Sequence, residues 1–236
     1  MKKIALLVGL LSVFSNASQA VFLDTMFIVS DKKGNGSYVL TNDKETNYYI
    51  ETSIREIITD EKGEYSKIEY TRGNLDRWAI ALSNNKLILE PGRSKSLGVK
   101  AICGSACDLS EDKTFEIAII PKPYVPDDES YKQKMNVFIG YAPIFIIPAK
   151  EGVLEYDIET DGENITIFNK SNTMVRVVVD NCQNKSKRTC RSVYTVIKGR
   201  LKNFPLPVDA IGQDLNVTVV NHNEKSKEKL TVKYKG

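Results

Sequence analysis

The sequence predicts an all-β protein built as two sandwiches. Short runs rich in Val, Ile, Tyr, Phe and Thr recur along it, separated by Gly, Asn, Asp and Pro. They come at roughly 8–15 residues, a cadence that suits sandwich strands and their turns. No stretch repeats apolar residues at i, i+3, i+4 and i+7 over the length of an amphipathic helix. One break, Pro148-Ala149-Lys150-Glu151-Gly152, divides the cadence into two blocks. It follows an unusually apolar stretch, Ile144-Phe145-Ile146-Ile147, and reads as a linker.

The elements follow in order. Residues 1–20 read as a secretory signal peptide. Lys2 and Lys3 form its basic start, Ile4–Phe14 its apolar centre, and Ser18-Gln19-Ala20 supplies small residues for cleavage before Val21. No later stretch approaches the ~18 apolar residues of a membrane span, so no stable membrane insertion is expected. In the first block, 21–147, strands are expected at Tyr38–Leu40, Tyr48–Ile54, Lys86–Leu89, Phe115–Ile120 and Val137–Ile139. Gly34-Asn35-Gly36, Asn84-Asn85 and Pro91-Gly92 make the turns. In the second block, 148–236, the strands are Leu154–Ile158, Ile165–Asn169, Val175–Val179, Val193–Ile197, Leu215–Val220 and Leu230–Tyr234. Asp161-Gly162 suits a tight hairpin, and His222–Lys229 a charged, solvated one.

Composition narrows the function classes. The formal net charge of +3 falls to +1 once Lys2 and Lys3 are removed, and charges of both signs are interspersed. Nucleic-acid binding, which needs a basic face or stripe, is not expected. The four cysteines form two close pairs, Cys103/Cys107 and Cys182/Cys190. In an exported chain this spacing favours local disulfides. The competing reading, a zinc site, needs four converging ligands, whereas the two pairs fall in separate blocks.

The case for an enzyme is poor. The single histidine, His222, lies in a polar, lysine-rich segment and reads as a surface-loop residue rather than a base. Every cysteine has a close partner, and no G-x-S-x-G, H-E-x-x-H or Walker loop occurs. Asp127-Asp128-Glu129 lacks the alternating oxygens and central glycine of a calcium loop. No cofactor or metal is expected.

The segment Met135–Pro143 carries more interest. Met135, Val137, Ile139 and Tyr141 share one face of a strand. The long polar stretch Pro121–Lys134 leads into it. One reading is a further core strand. The other is an exposed strand that lends its apolar row to another protein by β-augmentation. An uncovered apolar strand is an aggregation hazard, so it needs a use or a cover.

The order of motifs resembles the periplasmic chaperones of the chaperone–usher pathway for pili and fimbriae. Val21-Phe22-Leu23-Asp24 is similar to that family's first strand, and Tyr38–Asn42 with Tyr49–Ile54 to its second and third. Leu89-Glu90-Pro91-Gly92-Arg93-Ser94-Lys95-Ser96 resembles its L-x-P-G-x-S-K-S turn, and Phe115–Pro121 its strand ending in Ile-Pro. Met135–Pro148 resembles the long strand leading to the interdomain proline. Ile167–Asn172 and Phe204-Pro205-Leu206-Pro207 match motifs of the second half. Val137-x-Ile139-x-Tyr141-Ala142 with Cys182…Cys190 is most similar to the alternate-type branch.

The resemblance implies two immunoglobulin-like β-sandwich domains, 21–147 and 148–236, in a boomerang arrangement. It implies a periplasmic chaperone that binds pilus subunits with incomplete immunoglobulin-like folds and delivers them to an outer-membrane usher. Met135, Val137, Ile139 and Tyr141 would then form the donor strand. Two family features are missing. The first strand offers Phe27 and Ile28, and the long strand Pro143 and Ile144, where basic residues usually anchor the subunit's C-terminal carboxylate. Arg93, Lys95 and Lys100 are the substitute candidates. Ile147 replaces the arginine of the usual interdomain salt bridge, so a more apolar hinge is expected. The alternative function is a secreted or surface immunoglobulin-like adhesive module that binds a ligand through loops.

Overall fold

The computed structural model describes residues 21–124, 139–182 and 187–234. The signal segment 1–20, the acidic run Asp127-Asp128-Glu129 and the donor residues Met135 and Val137 lie outside them.

The N-terminal half folds as two sheets. One has the order β1 (Phe22–Leu23), β3 (Asn35–Thr41), β8 (Ser94–Ala101), β6 (Ile80–Leu82). The other has the order β2 (Phe27–Val29), β10 (Ile144–Ile147), β9 (Lys113–Pro123), β4 (Tyr48–Thr59), β5 (Tyr65–Glu69), with β7 (Lys86–Leu89) also on β4. Period-two alternation explains the sandwich. Tyr38 and Leu40 of β3, Leu97 and Val99 of β8, and Phe115, Ile117 and Ile119 of β9 all turn into one core. The first strand divides between the sheets. β1 runs antiparallel to β3, while β2 runs parallel to β10.

The C-terminal half repeats the plan. β11 (Tyr156–Thr160), β12 (Asn164–Asn169) and β15 (Leu201–Pro205) form one sheet. β14 (Arg191–Val196), β13 (Val175–Asp180), β16 (Leu215–Asn221) and β17 (Lys227–Val232) form the other. Ile165, Ile167, Val175, Val177, Val217 and Val219 fill a second, separate core. Asp161-Gly162 does make the β11–β12 turn. Gly162 has φ 95°, and a side chain there would run into the Tyr234 ring. Cys103 is bonded to Cys107 across a 3₁₀ turn at Gly104–Ala106, and Cys182 to Cys190.

Several strands lie where the sequence pattern showed none. β5 reads Tyr-Ser-Lys-Ile-Glu and lies at a sheet margin, so its side chains are mostly exposed and polar. The strand expected at Leu154–Ile158 begins two residues later, at Tyr156.

Candidate functional site

The segment that leads into β10 is the first part of the site. Above β10 the chain continues beside β9. Tyr141 gives its N–H to the Ile119 carbonyl and takes the Ile119 N–H on its own carbonyl, both at 2.9 Å. The row Tyr141, Pro143, Phe145, Ile147 faces the N-terminal core, and Phe145 is fully buried. Tyr141 is half-buried against that core, and its hydroxyl donates to the Val21 carbonyl. Ile139 belongs to the same row but is 52% exposed, so the row leaves its own core between these two residues. Of the expected donor residues, Ile139 is thus presented outward and Tyr141 is engaged inside the domain.

Among the described residues, no strand pairs with the outer edge of this segment beyond β2. The Ile144 N–H is taken by the Met26 carbonyl, where pairing with β2 begins. Gly140 and Ala142 point their backbone groups the other way from Tyr141. Neither has a hydrogen-bond partner among the described residues. Unpaired N–H and C=O groups at a strand edge are a template for another strand.

A cleft of about 270 Å³ between the two sandwiches is the second part. Phe27 and Ile144 line it at the foot of the long strand, together with Lys67, Glu116, Arg200 and Lys202. Glu116 is buried and pairs with Arg55 at 2.8 Å and Lys67 at 2.5 Å. The Arg55 contact is close enough for an ion pair but is not aligned as a hydrogen bond. Arg200 stacks its guanidinium 4.0 Å over the Tyr65 ring and reaches the Gly63 carbonyl at 3.3 Å. This is a cation–π contact made between the two halves.

Arg93, Lys95 and Lys100 are not among the residues of this cleft. Lys95 and Lys100 belong to β8, in the sheet that does not hold the long strand, and Arg93 lies just before it. Lys95 is engaged with the Ile88 carbonyl at 2.5 Å and with Glu90 at 2.8 Å. The cations that reach the cleft are Lys67, Arg200 and Lys202. Nothing in their sequence context marks them, because residues 67 and 200 meet only through tertiary packing.

The junction differs from the apolar hinge expected. Ile147 is buried within the N-terminal core. Beside Pro148 the contact between the halves is instead polar: the Asp112 carboxylate accepts the Ala149 and Met174 N–H groups, and Asn172 donates to the Ser110 carbonyl. Lys198 adds an ion pair to Glu111 at 2.7 Å. His222, expected in a solvated loop, is half-buried there and lies 3.1 Å from the Thr173 hydroxyl.

Residues 23–148 match the family described as the CS5 fimbrial protein N-terminal domain. The chain belongs to that family. No curated protein matches this fimbrial protein by sequence. Its fold is shared with solved fimbrial chaperones. The class 5 fimbriae chaperone CfaA is 13% identical with a TM-score of 0.53, over 90% of this chain and 99% of that one. The periplasmic chaperone SfaE is 11% identical with a TM-score of 0.53, over 90% and 98%. The SafB chaperone complex with the SafA pilin of Salmonella enterica gives 10% identity and a TM-score of 0.53, over 90% and 96%. The two-domain β fold of this chain is therefore the one these fimbrial chaperones share.

Proposed function

We propose that this protein is a periplasmic chaperone that completes fimbrial subunits by lending them the strand containing Met135, Val137 and Ile139. The observation that carries the reading is the edge at Gly140 and Ala142, unpaired among the described residues, beside the exposed Ile139. A subunit strand laid along that edge gains roughly 0.5–1.5 kcal/mol net per paired backbone group. Each apolar side chain moved from water into a subunit pocket adds up to about 1.5–3 kcal/mol. Tyr141 already fills a place in the chaperone's own core, so it supports the strand rather than entering the subunit.

The cleft completes the reading. A subunit carboxylate brought there needs a cationic partner, because burying it alone is costly. Lys67 and Arg200, with Lys202 beside them, are the groups in place. The leader 1–20 exports the chain, the domain boundary falls near Pro148, and an outer-membrane usher receives the subunit. No step of this cycle needs catalysis or a nucleotide, since the subunit folds fully only on release.

Purification of the mature protein from periplasm containing its fimbrial subunits tests this. A one-to-one complex with a small subunit is expected. Val137→Asp with Ile139→Asp should abolish it, and Lys67→Ala with Arg200→Ala should weaken it. A clean protein with no partner, despite confirmed subunit expression, sinks the reading in favour of an adhesive module.

A further inference from the structure

Glu116 is an acid in a cleft whose other charged groups are cations. Its neighbours in β9, Phe115 and Ile117, are fully buried in the N-terminal core. Period two therefore turns Glu116 to the opposite face of the sheet, toward the cleft. There it is 7% exposed. A carboxylate so far from water needs partners, and it has two. Its Oε2 accepts the Lys67 Nζ at 2.5 Å, and Arg55 Nη2 lies 2.8 Å from its Oε1. Of these two contacts, the Lys67 one is aligned as a hydrogen bond.

The strand register shows what this pairing does. Phe27, Ile144, Glu116 and Arg55 form one row across β2, β10, β9 and β4. Phe27 and Ile144 bring no charge to the foot of β10. Lys67 starts from β5, two strands away from β9, a span of roughly 10 Å across the sheet. Its other contact is the Tyr65 ring of its own strand, 5.4 Å from the centroid. Such a contact is weaker than a charge-assisted hydrogen bond. Glu116 thus draws the Lys67 ammonium over β4 toward Ile144. Two cations on one carboxylate leave a net charge of +1 beside an otherwise apolar strand foot.

We propose that Glu116 is the positioning residue of the cleft, holding Lys67 at the foot of the long strand where a bound carboxylate meets it. The inference rests on the proposed function, in which the cleft cations receive a subunit carboxylate. Two effects of Glu116 oppose each other. As a negative charge it repels that carboxylate, and as a partner it places the ammonium that attracts it. Placement wins. A Lys67 released from Glu116 has a flexible stem that carries its charge out to water, where high dielectric and salt weaken its pull. The repulsion, by contrast, is already offset by Arg55 on the same carboxylate. The two effects predict opposite signs for one substitution.

The test measures capture of a fimbrial subunit by the full mature chain, with melting curves of each variant alongside. Glu116→Gln keeps the side-chain shape and makes the cleft more positive, yet should weaken capture by about tenfold, the scale of one charge-assisted hydrogen bond. In a Lys67→Met background the same change should no longer weaken it. A folded Glu116→Gln protein that captures as well as wild type or better overturns the proposal. So does a loss that persists undiminished beside Lys67→Met, because Glu116 would then act through something other than Lys67. NMR of the free protein with isotope-labelled lysine gives a signature that needs no subunit. The Lys67 ammonium, slowed in exchange by its carboxylate partner, should give a sharp signal in wild type and lose it in Glu116→Gln, and a signal that survives also overturns the proposal. A wild type that captures nothing removes the proposed function, whereas a capturing wild type matched by Glu116→Gln removes this inference alone. Should Glu116→Gln fail to fold, Glu116→Asp decides it. That variant keeps the charge but withdraws the oxygens by one methylene, so capture should fall, and unchanged capture refutes the positioning role.

Discussion

Replacement of Ile139 separates an outward-facing donor residue from an ordinary core residue. In the free protein Ile139 is 52% exposed. Full burial of an isoleucine side chain is worth about 1.5–3 kcal/mol, so about half, roughly 0.8–1.5 kcal/mol, remains to be gained in a subunit pocket. Ile139→Ala should weaken capture by roughly four- to twelve-fold. Ile139→Asp adds the cost of carrying a carboxylate into an apolar groove, several kcal/mol, and should weaken it beyond about a hundredfold. Both changes should alter the stability of the free protein by no more than about 0.5 kcal/mol, as for other surface sites. The assay refolds a fimbrial subunit from denaturant with increasing chaperone and reads the one-to-one complex by size exclusion. Melting curves of the free variants run in parallel. An Ile139→Asp protein that captures at the wild-type concentration refutes the reasoning. So does one that unfolds well below the wild type, because Ile139 would then be core.

Three further outcomes are expected. Tyr141→Phe removes the hydroxyl bonded to the Val21 carbonyl and should lower stability by about 0.5–1.5 kcal/mol in urea melts, with subunit capture retained. Replacing Cys182 and Cys190 by Ala opens a loop of eight residues and should cost about 2.5 kcal/mol in the chain-entropy model, read in the same melts. His222 binds its proton less readily folded than unfolded, because burial disfavours the charged ring. Its contribution to stability is complete above pH 6.5, the unfolded value, and is lost as pH falls through the lower folded value. Asp112, held above the ordinary carboxylate range, acts in the opposite sense, its burial cost easing as pH falls. Urea melts of His222→Gln should therefore show a flatter fall than wild type on acidifying from pH 7, and equal slopes would refute the burial argument.

The fold was legible wherever strands carry their burial in composition. Phe115–Ile120 and Val175–Val179 are runs that only a packed sheet accommodates. β5 was not legible, because a marginal strand of Ser66, Lys67 and Glu69 has no apolar row to betray it. Period two placed Ile139 and Tyr141 on one face of the strand, but it did not say where along that row burial ends. Whether an aromatic faces its own core or a neighbour's depends on Val21, 120 residues away. The cleft cations were missed for the same reason. Arg200 acts through Tyr65 and Gly63, and no local pattern links those positions. His222 looked solvated because its own segment is polar, yet its partner Thr173 comes from another strand connection.

The parallel seam between β2 and β10 has a consequence for the protein's own assembly. It joins Phe27 to Ile144, so it closes a loop of more than a hundred residues late and against chain entropy. A chain delivered to its compartment from the N-terminus presents Phe27–Val29 long before Ile144–Ile146 exists to receive it. The N-terminal sandwich cannot be completed until the linker is nearly through. Until then the edge of β9 that β10 will cover is bare, and the N-terminal half is itself a sheet missing a strand.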